Sequence, residues 1–320
     1  MIAVWFVLVV VGLVVAIVAS GRAVGYASDL AFGFSVPPFV IGAIVVGIGT
    51  DLPEIAHSVI SALSGYGDLA AGNAIGSTIT QMTLVLGLLP FAGIAMAASR
   101  PFTAISIPTS ADRIVLPGGL MVIGLLVGAW FGADDALSRT EGLVLVAFWV
   151  ISAFLLLRQT RTAEVPTMVV PERRPAHALV GTLVSLAFVG VGATAAVTAF
   201  IEIAETLDVP VFLLSFFAAS IGTSLPELVV DVTAIRRGEK DIAIGDIFGS
   251  SLIDATLVLG LGPAIVPLVV DGDLVVRSAL AAAAIVAVLT FVLARRRHHT
   301  WVTGLGLLVA YAALYPVLLA

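Results

Sequence analysis

Cysteine does not occur in this chain, so a disulfide, a thiolate metal site and a cysteine nucleophile are all excluded. Charge is scarce too. Asp, Glu, Lys and Arg make up 11% of the 320 residues, against 60% hydrophobic residues and a mean hydropathy of +1.17. A soluble domain of this size needs far more polar surface, because much of its area faces water. The N-terminus, MIAVWFVLVVVGLVVAIVAS, lacks a basic stretch, and its apolar run is too long for a typical signal peptide. It reads as a first membrane span. No nucleic-acid partner is expected, and the formal net charge of −6 says less than where the charges fall.

What the chain has in abundance is apolar runs of about 20 residues, long enough to cross a hydrocarbon core roughly 30 Å thick. Ten segments can be drawn, at about 2–20, 36–64, 69–97, 114–132, 141–158, 177–203, 209–235, 241–270, 274–294 and 300–319. The expected fold is an all-α polytopic membrane protein in the cell membrane, in contact with the lipid bilayer. Two five-helix halves, 1–158 and 177–320, flank a cytoplasmic linker at 159–176. Basic residues favour cytoplasmic loops. With the N-terminus outside, 13 of the 15 Lys and Arg residues fall inside, leaving only Arg139 and Arg277 outside. The bias expects both termini to be extracellular.

The halves repeat. Residues 49–88 align without gaps to 222–261 at a constant offset of 173, with 18 of 40 positions identical. The shared positions include GT-LPE, the glycines at 72/245 and 76/249, the serines at 77/250 and TLVLGL at 83–88 and 256–261. Five helices per half is an odd number, so the second copy enters the membrane from the opposite side. Inverted repeats of this kind are a common transporter architecture, with substrate held near the midplane.

An ionisable side chain in the bilayer interior costs at least about 2.5 kcal/mol even on the mildest scale. Glu54 and Glu227 occupy equivalent mid-span positions, so the chain bears that burden twice. Each follows a proline, which removes a backbone hydrogen bond and frees a carbonyl in the preceding turn. Carbonyls from Gly47 to Thr50 and from Ser220 to Thr223 thereby become candidate oxygen ligands. On the next segment of each half, Asn73, Ser77 and Gln81 share one helical face, as do Asp246, Ser250 and Asp254. Carboxylates, carbonyls and hydroxyls suit hard cations such as Ca²⁺ and Na⁺. Asn73 and Asp246 lie nearer their helix starts, where a helix-packing role competes.

The motifs GTDLPE…GNAIGSTITQ and GTSLPE…GDIFGSSLID resemble the two alpha repeats of the calcium/cation antiporter superfamily, in its sodium/calcium exchanger branch. That resemblance implies Glu54 and Glu227 as shared Ca²⁺ and Na⁺ carboxylates, with Thr50 and Thr223 giving backbone carbonyls. It implies Asp51, Ser224, Ser77 and Ser250 at flanking Na⁺ positions, and Gln81 and Asp254 between the glutamates. Three positions depart from the pattern: Asp51 stands where Ser is expected, and Gln81 and Asp246 where Asn is common. The proton-coupled branch carries a different first motif. Asp254 matches an aspartate of potassium-dependent relatives.

The expected activity is Na⁺/Ca²⁺ antiport by alternating access, with no cofactor and no enzymatic chemistry. Na⁺ and Ca²⁺ compete for the same ligands, and the first helix of each half slides over the rest. H⁺ or K⁺ coupling and, more remotely, a cation channel are the alternatives. The linker at 159–176 is too short for a soluble regulatory domain.

Overall fold

The apolar runs become helices because a backbone in hydrocarbon must satisfy its own hydrogen bonds. The computed structural model describes residues 2–34, 36–92, 105–159, 174–206 and 224–318. The first of these holds α1 (Ile2–Gly33). A bent pair follows, α2 (Pro38–Thr50) and α3 (Leu52–Leu63), whose axes differ by 46°. Next come α4 (Gly67–Phe91), α5 (Ala111–Gly132) and α6 (Arg139–Gln159). The second half holds α7 (Pro175–Thr206), α8 (Leu225–Arg237), α9 (Lys240–Ile265), α10 (Gly272–Arg296) and α11 (Trp301–Leu318). Seven of these helices are long and apolar enough to span a bilayer, and the α2–α3 pair makes an eighth if it counts as one span. The chain is a multi-pass membrane protein.

Burial separates the centre from the lipid face. In α9, 94% of the apolar window is buried and in α4 78%, against 28% in α1 and 22% in α6. The two central helices are therefore those that carry the polar strips. α1 and α6 turn residues such as Val7, Val14, Ile151 and Phe154 outward, as lipid contact requires. α1 packs along α7, α5 along α10, and α9 against α2.

Glycine decides the α2–α9 contact. A Cβ at Gly245 would lie 2.0 Å from the Phe39 carbonyl oxygen, and one at Gly249 would lie 2.1 Å from that of Ala43. Only hydrogen fits, so the two backbones approach directly. Gly12 and Gly192 do the same between α1 and α7, each facing the other's carbonyl oxygen at 2.6–2.7 Å from an ideal Cβ.

The all-α expectation needs one amendment. Four two-residue strands join loops that are distant in sequence: β1 (Ile107–Pro108), β2 (Ala136–Leu137), β3 (Leu268–Val269) and β4 (His298–His299). β1 pairs with β4 and β2 with β3, both antiparallel. Behind β4, the buried His299 hydrogen-bonds the Leu86 carbonyl through Nε2 and the Thr303 hydroxyl through Nδ1, both at 2.7 Å. Pro90 has no N–H to offer that carbonyl, so the imidazole takes the place of a helical donor.

The internal repeat has a structural counterpart at the same offset of 173. π-helical turns occupy Gln81–Val85 and Asp254–Val258. Asp51 and Ser224 open α3 and α8 with nearly the same backbone, φ/ψ −77/4 and −88/10. Gly65 and Gly238 both end their helices at positive φ, 77° and 85°.

Candidate cation site

The break between α2 and α3 falls at Asp51, where ψ near zero interrupts the helix before Pro53. Gly47 is not the residue whose acceptor is freed. Its carbonyl accepts the Asp51 N–H at 3.0 Å and the Thr50 hydroxyl at 3.1 Å. Pro53 instead withholds the N–H that would reach Gly49, four residues back.

Beside this break, Asp51, Glu54 and Glu227 converge. One carboxylate oxygen from each lies within 4.8 Å of the other two, and all three residues are fully buried. Among the described residues, no donor reaches either oxygen of Glu227 or Oδ2 of Asp51. Asp254 is also wholly buried with both oxygens undonated, within electrostatic reach of Asp51 and Glu54. Such a group of acids cannot all be ionised in a dry interior without a cation between them.

Gln81 ties the two halves together. Its Nε2 donates to Asp51 Oδ1 at 3.3 Å, and its Oε1 accepts from Ser250 at 2.8 Å and Ser251 at 3.0 Å. Gln81 and Asp254 each open a π-helical turn. A π-turn re-aims the side chains that follow it and recurs at functional sites. No residue type in the sequence signals such a turn, and Ser251 falls one residue off the Asp246, Ser250, Asp254 strip; its twin, Thr78, bonds the Ala74 carbonyl of its own helix.

The other expected residues divide. Ser77 and Ser224 are buried, the latter with its hydroxyl undonated. Asn73 is partly exposed. Thr50 turns its hydroxyl to Asp246 Oδ1 at 3.3 Å as well as to its own helix. Thr223 and Ser220 lie outside the described residues.

A family model described as sodium/calcium exchanger protein matches residues 4–158 and 177–319. This chain belongs to the sodium/calcium exchanger family. It is 33% identical over 277 residues to the inner membrane protein YrbG of Escherichia coli, covering 82% of this chain and 81% of that one. It is 26% identical over 309 residues to the sodium/calcium exchanger MaX1 of Methanosarcina acetivorans, covering 84% of this exchanger-family chain and 85% of that protein. The fold matches the structure of the sodium-calcium exchanger NCX_Mj soaked with Na⁺ and without Ca²⁺, at a TM-score of 0.81 and 25% identity over 99% of both chains. An exchanger-type antiporter, rather than an enzyme family, is the framework for the site's chemistry.

Proposed function

We propose that this protein exchanges Na⁺ for Ca²⁺ across the cell membrane by alternating access. The observation that carries the reading is the convergence of Asp51, Glu54 and Glu227, fully buried, with an oxygen of each within 4.8 Å of the others. Oxygen-only ligands of this charge suit Ca²⁺ and Na⁺. Glu54, Glu227 and Asp254 form the charged ligands. Gln81 sits with Asp254 between the glutamates, Asp51, Ser224, Ser77 and Ser250 hold the flanking positions, and Thr50 and Thr223 contribute backbone oxygen. Either one Ca²⁺ or several Na⁺ occupy the carboxylates, so competition for shared ligands couples the two fluxes. The α1–α7 pair slides as a unit along the remaining helices, held together by the close backbone contact at Gly12 and Gly192.

The framework of the proposal is ten spans in two inverted halves, 1–158 and 177–320, with both termini extracellular. Contacts between loops support it, since each joins loops that the distribution of basic residues puts on one side. β2 pairs with β3 on the outer side and β1 with β4 on the inner. Asp68 accepts the Asp271 N–H outside at 2.6 Å, while Arg113 pairs with Asp241 inside at 2.5 Å.

Replacing Glu54 or Glu227 with Gln should abolish Na⁺-gradient-dependent ⁴⁵Ca²⁺ uptake into proteoliposomes. Uptake at the wild-type rate would overturn the proposal. Asp51 supports a second reading, H⁺ coupling, because it adds a carboxylate against Glu54 and Glu227 that could carry a proton. Uptake driven by a pH gradient in the absence of Na⁺ would favour it.

A further inference from the structure

The second repeat carries a carboxylate pair that the central cluster does not use. Asp231 lies one turn beyond Glu227 on α8, roughly 6 Å along the axis at 1.5 Å per residue. Its side chain abuts that of Asp246 on α9. Both residues are completely buried. Among the described residues, no group outside the pair donates to either oxygen of Asp231 or to Oδ2 of Asp246; the one outside donor is the Thr50 hydroxyl, 3.3 Å from Asp246 Oδ1. The two carboxyls lie close enough to share a proton, and even then one buried negative charge remains for a cation to satisfy.

The matching positions of the first repeat supply an internal comparison. At the offset of 173, Asp231 corresponds to Ser58 and Asp246 to Asn73. Ser58 is satisfied by donating to the Val258 carbonyl at 2.7 Å. The fold at this position therefore does not require an acid, yet one repeat places two there. Their location is also one-sided. α8 ends at Arg237 and α9 begins at Lys240, so Asp231 and Asp246 lie between the central cluster and the α8–α9 turn. Ser58 and Asn73 stand in the corresponding place between the cluster and the α3–α4 turn.

We infer that Asp231 and Asp246, with the Thr50 hydroxyl, form a second cation site on the path from the central cluster to the α8–α9 turn. The ligands are hard oxygens and the charge is up to two negatives, so the occupant is Na⁺ or Ca²⁺. Thr50 adjoins Asp51 in the chain, so the two sites share a wall. The inference rests on the central-site reading for the direction of the path, but its binding test does not depend on transport.

The test is equilibrium dialysis of the purified full chain with ⁴⁵Ca²⁺. An Asp51→Asn/Glu54→Gln/Glu227→Gln/Asp254→Asn variant, stripped of the central carboxylates, should still bind one Ca²⁺ per chain. Adding Asp231→Ser and Asp246→Asn, the residues the first repeat itself uses, should reduce that to none. Asp231→Asn/Asp246→Asn, which keeps side-chain volume, should do the same, and a monodisperse gel-filtration peak shows that the variants are folded. Absence of binding in the first variant, or binding that survives the added substitutions, would overturn the second site. Transport by Glu54→Gln/Glu227→Gln at the wild-type rate would instead overturn the exchange reading.

Discussion

Gln81 donates to Asp51 across 3.3 Å while the hydroxyls of Ser250 and Ser251 donate to its Oε1. One neutral amide thus orients an acid of the first repeat by means of two serines of the second. Its twin is Asp254, so the repeats are alike in backbone and unlike in charge at the same point.

Gln81→Leu should weaken the apparent affinity for the coupling cation by about tenfold. It leaves Asp51 Oδ1 and two buried hydroxyls without their partner. A hydrogen bond to a charged group contributes about 1.5–3 kcal/mol, and about 1.4 kcal/mol is a factor of ten. Gln81→Asn, which keeps the amide one methylene shorter, should lose less. The Na⁺ dependence of ⁴⁵Ca²⁺ uptake measures both.

Asp51→Ser, which copies Ser224, should preserve Na⁺-driven uptake and reduce by one the monovalent charges moved per Ca²⁺. The reason is that the site loses one carboxylate to neutralise. Reversal potentials under paired Na⁺ and Ca²⁺ gradients read the ratio directly. An unchanged ratio would remove Asp51 from the ligand set.

Gly249→Ala should lower thermal stability, whereas Gly119→Ala on α5 should not. The new methyl at 249 meets the Ala43 carbonyl at 2.1 Å and its Cα at 2.3 Å, while position 119 meets no described atom within 4 Å. Overpacking a well-filled contact costs about 1–3 kcal/mol. A fluorescence-detected melting curve of each variant separates the two outcomes.

His299, between α10 and α11, has its pKa pushed down to about 4, mainly by burial. A depressed value means that the folded state holds the neutral ring more firmly than the unfolded chain does. The resulting stability is present above about pH 6.5, the ordinary value. It is lost as pH falls from there through about 4, and the full difference is of order 3 kcal/mol. His299→Gln keeps a donor for Leu86 and does not titrate. Wild type should therefore lose melting temperature relative to His299→Gln across that window, and parallel curves would exclude the assignment.

The missing cysteines make sidedness simple to measure. Asp134→Cys and Arg296→Cys each introduce the chain's sole thiol at an exposed position. An impermeant maleimide applied to intact cells should label Asp134→Cys, and it should reach Arg296→Cys only after lysis. The reverse pattern would invert the proposed topology.

Much of the site could be read along the chain because its chemistry is conspicuous there. An acid after a proline inside an apolar run, present twice at a fixed offset, needs no structure to be noticed. That pattern picked out Asp51, Glu54 and Glu227, together with Gln81 and Ser250. The stretch of freed carbonyls it gave, Gly47 to Thr50, includes Gly49, four residues before Pro53, while the Gly47 carbonyl accepts the Asp51 N–H and the Thr50 hydroxyl. It missed Ser251, which lies one residue off the strip of Asp246, Ser250 and Asp254 that helical periodicity picks out.

By itself the sequence determined the helical, membrane-spanning class, the two copies and the polar groups each copy carries, because composition, period and offset are properties of the chain alone. Tertiary structure decided which of the buried acids meet. Glu227 reaches Asp51 and Glu54, and Asp231 turns to Asp246. The first partnership joins the two repeats, which Gly245 and Gly249 bring together by letting α9 lie backbone to backbone against α2. A contact between residues 173 and 176 positions apart is set by how closely helices can approach, and no local pattern records that distance.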